Sequence, residues 1–331
     1  MSMPNISERV YICWQGDTPS EPTTTLVTTS KENYFVDIRI YRRFDPSGPD
    51  LPLPTTGGPI QRLEWAFAGI SESWDFDTDS TSSAPPLSDH DVQQQQQPKN
   101  ARWWHWVDST FPLFPAHWLP ATMAYEQAFA RPPHVMSSIS EDPFVDIASP
   151  TFSNASTLLA GDAAATTTLP PTTLPPLTRF APVLDAGVLH PVPHDAALTL
   201  ETGVMPHPAT GLQTPYEEMW RDVVIEAAEE EKGRCSVVLT LEMAEICARG
   251  VLVRVGQWCQ GVLMIGTQIT CERWEFVSGE GAKGEWVRRV RIGDGFLPTG
   301  VVFSMAEVKV GDVCRKEAMV WVVREKFEWS E

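Results

Sequence analysis

Between Cys235 and Trp329 the chain carries seven short runs in which apolar and polar residues tend to alternate: CSVVLTLEM, GVLVRVGQW, GVLMIGTQIT, RWEFVSG, EWVRRVRIG, VVFSMAEV and AMVWVVREKFEW. Alternation with a period of two is the mark of a pleated strand with one face buried. Seven such runs within fewer than a hundred residues have the spacing of a β-barrel or β-sandwich.

The N-terminal part repeats the pattern in RVYICWQG, TTTLVTT, YFVDIRIYR, QRLEWAFAGISESW and ARWWHWVDS, with the turn-rich DPSGPDLPLPTTGG before the fourth run. In RLEWAFAGISESWD, alternation places Leu63, Trp65 and Phe67 on one face and Glu64, Ala66 and Ala68 on the other. Gly69 follows where a bulge or bend lets a strand curl into a barrel wall. Trp65 and Phe67 are thus expected to face a barrel interior. In WWHW, His105 alternates to the face opposite Trp104 and Trp106, so it is either a structural residue of the wall or a ligand-facing group at a barrel mouth. Further on, Tyr216, Met219, Trp220, Val223, Val224, Ala227 and Ala228 follow helical spacing, and Thr214, Pro215 and Glu217 suit a capping box. HPATG is also a good turn between ALTLETGVM and TPYEEMWRDVVIE, which makes a hairpin. Residues alone leave both readings open.

A chain of 331 residues has room for two ordinary domains. The expected division is 1–226 and 227–331. The stretch about 76–99 is polar and of low complexity, and about 111–184 carries 12 of the 29 prolines, so a loop and a long disordered insertion are expected there. With 43 acidic against 25 basic residues, the net charge of −18 argues against binding nucleic acid or an anionic membrane. No long apolar run or leader pattern appears, so a soluble, intracellular protein is expected. Cys235, Cys247, Cys259 and Cys271 recur every twelve residues, read as buried hydrophobes on strands and not as a zinc site.

Gly279, Gly281 and Gly284 match the letters of a dinucleotide fingerprint, but they join two strands where that fingerprint needs a strand leading into a helix. Asp75, Asp77 and Asp79 open like a calcium loop whose sixth-position glycine is Ser80. The prolines between His190 and His194 forbid the helix that would aim both at one metal. No cofactor, metal site or catalytic motif is read from the chain.

From LEWAFAG the chain resembles a fungal family, the HRI family, named in yeast for interaction with a casein kinase I homologue. RVYICWQG, WWHWVDS, LETGVMPHPATGLQTPYEEMW, GQWCQGVL and WVVREKFEW agree with that family in order. The resemblance implies two lipocalin-like β-barrels in tandem, a cytoplasmic and also nuclear location, and a protein-interaction role without known chemistry. It favours the hairpin over the helix, with Glu201, Gly203, Tyr216, Glu217 and Trp220 as family-motif residues, and it makes Trp258 with Gly261 the second barrel's counterpart of Trp65 and Phe67. Three functions follow as expectations: a non-enzymatic interaction protein partnered with a casein kinase I-type kinase; a small-molecule carrier using a barrel cavity; and an isomerase or cyclase with His105, Glu201 or Glu217 moving protons. Asp77 and Asp79 stand three residues before Ser80 and Ser82, the spacing such a kinase favours, which makes the two serines candidate phosphosites.

Overall fold

The computed structural model describes residues 3–45, 47–75, 97–111, 183–228, 233–279, 282–304 and 308–330. Eight antiparallel strands close into a barrel in chain order: β1 (Asn5–Trp14), β2 (Thr23–Thr29), β3 (Tyr34–Tyr41), β4 (Leu63–Asp75), β5 (Lys99–Asp108), β6 (Val183–Pro191), β7 (Leu198–Pro206) and β8 (Gln213–Asp222), with β8 paired back onto β1. Seven more form a second sheet: β9 (Arg234–Met243), β10 (Ala248–Val255), β11 (Trp258–Ile265), β12 (Gln268–Gly279), β13 (Ala282–Ile292), β14 (Val313–Lys316) and β15 (Met319–Trp329). Its order is β13-β12-β11-β10-β9-β15-β14, curled as a half-barrel. The expected boundary at 226/227 falls in the link between β8 and β9. The 76–99 loop and the 111–184 insertion lie outside the described residues, apart from their ends, where β5 already begins at Lys99 and β6 at Val183.

The mainly-β expectation holds, and the second unit is a half-barrel for a visible reason. VVFSMAEV, expected as a strand, opens inside a single helical turn, α1 (Thr299–Phe303), which plugs the concave face of the second sheet. Val302 is fully buried there, Phe303 stacks on Trp286 at 4.3 Å, and Arg254 Nη1 donates to the Val302 carbonyl at 2.5 Å. The segment from Gln213 is the hairpin strand and not the helix. Gly211 at φ +69° turns the chain within HPATG, and β8 then closes the barrel by pairing with both β7 and β1, removing edges that would otherwise stay open.

One apolar core joins the two sheets. Leu26, Val36, Ile38, Ile40, Ala66, Ala68 and Trp106 point outward from the barrel and meet Val251, Val253, Val255, Val262, Met264 and Val290. This is why every residue of β3 from Tyr34 to Ile40 is buried: even-numbered side chains enter the junction while odd-numbered ones enter the barrel. Polar side chains fix the register of the junction. Gln260 Nε2 donates to the carbonyls of Leu26 and Val36 at 2.8 and 3.0 Å, and Arg273 Nη2 reaches the Ile38 carbonyl at 2.6 Å. Trp258 packs against this junction, whereas Gly261 lies on the opposite face beneath Leu297. The two therefore do not share an interior as Trp65 and Phe67 do, because they stand three positions apart, an odd spacing along an alternating strand.

The cysteine recurrence likewise divides between two faces. Cys235 and Cys259 join the concave-face cluster, Cys271 joins the junction, and Cys247 sits at a turn with φ +51°. Burial pushes the Cys259 and Cys271 thiols up to about 12, and no cysteine is in a disulfide.

The C-terminal strand is tied to the barrel by one carboxylate. Glu325 accepts from Ser30 Oγ at 2.6 Å, from the backbone amides of Lys31 and Glu32 at 3.0 and 2.9 Å, and from Ser236 Oγ at 2.9 Å. Replacing Glu325 with Ala orphans these donors and is expected to cost about 2 to 4 kcal/mol of stability. Chemical denaturation would show it; an unchanged midpoint would remove Glu325 from the junction.

Candidate functional site

The interior of the closed barrel is polar, and three ladder irregularities make it so. In β4 the register slips between Trp65 and Leu63, so Glu64 turns toward Arg9 while Leu63 joins the outer core. The slip overturns the simple alternation that put Leu63 beside Trp65 and Glu64 beside Ala66. In β1 the register shifts between Arg9 and Tyr11, and in β5 between His105 and Val107 opposite Gly69 and Ala68. At Gly69 a Cβ would run into the Trp104 carbonyl, so only glycine lets the two strands approach at that slip.

Two buried arginines organise one side of the interior. Arg9 pairs with Glu21 through Nε at 2.7 Å and with Glu218 through Nη1 at 2.5 Å. Arg39 grips Asp37 Oδ2 with Nε and Nη2 at 3.0 and 2.9 Å and reaches Glu218 Oε1 with Nη1 at 3.2 Å. Its guanidinium also lies over the rings of Trp65 and Phe67, 5.1 and 5.3 Å from their centroids. Burying these charges is costly, and pairing with hydrogen bonding offsets that cost.

His105 stacks on Phe67 at 4.1 Å, and its Nδ1 lies 2.8 Å from Asp108 Oδ2. Asp108 Oδ1 accepts from Trp65 Nε1 at 2.8 Å and from the Thr110 amide and hydroxyl at 2.8 and 2.7 Å. Burial pushes the Asp108 carboxyl up, but the hydrogen bonds from His105 and Thr110 outweigh it and hold the group below its usual value. Facing the Asp108 carboxylate, His105 Nδ1 carries a proton and donates it in a hydrogen bond to Oδ2. His105 Nε2 is buried and has no hydrogen-bond partner, as are Asp37 Oδ1 and Glu64 Oε2.

Glu201 on β7 stands directly opposite Glu218 on β8. Glu218 has the two arginines, while Glu201 accepts only from Tyr216 OH at 2.8 Å and Trp220 Nε1 at 2.9 Å. Burial, then repulsion from Glu218 and Asp185, hold the Glu201 carboxyl well above its usual value. Asp185 on β6 is half-buried and is raised too, by burial first, with His105 working against the shift.

Of the residues named from sequence, the structure brings Trp65, Phe67, His105, Glu201, Tyr216 and Trp220 into or around this interior. Gly203 lies beneath the Tyr216 ring, where a Cβ would come within 2.6 Å of its hydroxyl. Trp104 bonds Glu72 on the exposed outer side, and Trp106 is in the junction core. Glu217 bonds Tyr11 OH and does not join Glu201; its neighbours Tyr216 and Glu218 take the inward positions. Arg9, Asp37, Arg39, Asp108 and Glu218 were missed. Their one signal was charge within apolar alternation, as in YFVDIRIYR. Ser80 and Ser82 lie outside the described residues, as do Asp77, Asp79 and Gly281. His190 Nε2 is 3.1 Å from the Thr202 hydroxyl, and His194 sits in a left-handed turn. Among the described residues, no group of three or more His, Cys, Asp or Glu is arranged to hold a metal ion, and no helix is long and apolar enough to cross a membrane.

An eight-stranded barrel joined to a half-barrel has a counterpart among solved structures. An uncharacterized protein of Saccharomyces cerevisiae, YLR301w, superposes with a TM-score of 0.52 over 98% of this chain and 100% of its own, at 16% identity. The family model described as Protein HRI1 matches residues 5–325, and the chain belongs to that family. No curated protein matches the sequence.

Glu201 makes a pH prediction. Its folded-state value is raised, so between its unfolded value near 4.5 and the raised one the folded protein holds the extra proton and stability falls as pH rises. Glu201→Gln cannot ionise and should flatten this descent, by up to about 1.4 kcal/mol per pH unit. Denaturation curves at several pH values from mildly acidic to neutral would test it; identical slopes for both proteins would contradict the buried, proton-holding role.

Proposed function

We propose that this is a non-enzymatic binding protein whose closed barrel holds a small polar ligand. The observation that carries the reading is His105: 4% exposed, oriented by Asp108 through Nδ1, and presenting a buried Nε2 with no protein partner. Buried polar atoms are rarely left unpaired, and a side chain locked by a second polar group while its far atom is unsatisfied is the arrangement that a ligand completes. A proton-shuttling reaction has less support, since Glu217 is turned away from Glu201. Native mass spectrometry of the full chain purified from its own cytosol is expected to show a bound species that denaturation releases and His105→Phe abolishes. A wild-type protein that carries no bound species would count against the reading.

A second reading concerns a protein partner. The chain leaves β4 at Asp75, whose side chain is 82% exposed, and continues into the acidic serine stretch. A casein kinase I-type kinase as partner, and a cytoplasmic and nuclear location, are proposed from the resemblance alone. Incubation with such a kinase should label Ser80 or Ser82, and Asp77→Asn with Asp79→Asn should abolish the labelling; no incorporation at either serine rejects the substrate role.

A further inference from the structure

The unpartnered atoms of the barrel interior share one chemical character. Asp37 Oδ1 and Glu64 Oε2, the latter 3.9 Å from Arg9 Nη2, lack a hydrogen-bond donor, and His105 Nε2 is a further acceptor in the neutral tautomer that the Asp108 contact sets. The nitrogens left over elsewhere are Arg62 Nη2, whose neighbours bond the carbonyls of Tyr41 and Pro52, and the indoles of Trp106 and Trp321 in the two apolar cores. A ligand of this interior must therefore bring donors.

Charge narrows the class. The interior network holds Glu21, Asp37, Glu64, Asp108, Asp185, Glu201 and Glu218 against Arg9 and Arg39, and both guanidinium groups are already engaged by Glu21, Asp37 and Glu218. On three successive strands, Asp185, Glu201 and Glu218 lie within electrostatic reach of one another, and Glu201 directly faces Glu218 across the ladder. Like charges opposed in a sheet are unfavourable unless one group holds a proton or a counter-charge sits between them; Glu201 is relieved by holding its proton, and a bound cation would relieve it in the ionised form. Arg39, already bonded to Asp37 and Glu218, is within electrostatic reach of Asp185 and Glu201, but no described Arg or Lys forms a hydrogen-bonded ion pair with either. The three carboxyls do not close on one point as metal ligands do. Trp220 and Tyr216 bond Glu201, and the rings of Phe67 and Trp65 stand beside His105, aromatic surroundings of the kind in which organic cations are bound.

We propose that the barrel binds a small organic cation, a protonated amine, whose N–H groups are taken by His105 Nε2 and by the carboxyls of Asp185 and Glu201. An anion is disfavoured because the arginines are occupied; a neutral polyol satisfies the acceptors but brings no counter-charge to an interior with more acids than arginines. This rests on the ligand-binding reading of the barrel, and the experiment separates the two.

Isothermal titration of the full chain at physiological ionic strength, which screens attraction to the acidic surface, would compare putrescine, inositol and inorganic phosphate. Putrescine is expected to bind saturably, roughly tenfold or more weakly in Asp185→Asn and equally well in Glu245→Gln, which removes an exposed acid from the turn between β9 and β10. Asp185 is half-buried, and unchanged thermal melting of Asp185→Asn would show that the loss is not unfolding; Glu201→Gln provides a second variant that should also weaken putrescine. Putrescine bound equally well by wild type, Asp185→Asn and Glu201→Gln would reduce the effect to surface charge and overturn the proposal. Inositol or phosphate bound in place of putrescine would overturn the amine and keep the ligand-binding barrel. Binding of none of the three would overturn the amine, while native mass spectrometry decides the barrel reading separately.

Discussion

Strand β3 has no solvent face, and the rest of the structure depends on that. Val36, Ile38 and Ile40 press into the second sheet while Phe35, Asp37 and Arg39 fill the barrel. Full burial of each such aliphatic side chain contributes about 1.5 to 3 kcal/mol, so the outer wall of the barrel supplies core to its neighbour. Gln260 and Arg273 make the contact specific by bonding carbonyls of β2 and β3, and Arg273 does so without a carboxylate partner at hydrogen-bonding distance. Burial brings its guanidinium down to about 10, which is the cost of placing it in the junction.

With its outer wall committed to apolar packing, the barrel has an interior free to be polar. A barrel filled with Leu and Val would be simpler to stabilise, since a buried ion pair seldom outperforms apolar packing of similar volume. Here Arg9 and Arg39 are matched to Glu21, Asp37 and Glu218 on one side, while on the other His105 Nε2 has no hydrogen-bond partner and Glu201 is bonded by Tyr216 and Trp220 and by no arginine. The paired half supports the wall. The unpaired half is where function is sought.

Much of the fold was legible because strand alternation and turn residues are local signals. TTTLVTT, YFVDIRIYR and WWHWVDS became strands, and Gly211 made HPATG the turn of a hairpin. VVFSMAEV was misread because an apolar run is as compatible with one buried helical turn as with a strand, and only the concave face beneath it decides. Leu63 and Glu64 were assigned to the wrong faces because a bulge is a property of two strands together. The candidate site was legible in its aromatics, Trp65, Phe67 and His105, since aromatic alternation points to an interior. Its charges were not. Asp37 and Arg39 look like solvated residues until the strand is known to be buried on both sides, and Glu201 acquires its character only from Glu218 across a hairpin.

The central claim is that barrel and half-barrel are one cooperative unit held by the core they share. Differential scanning calorimetry of the full chain tests it most directly. A single transition whose calorimetric and van't Hoff enthalpies agree is the predicted result; two resolved transitions, one for each sheet, would contradict it.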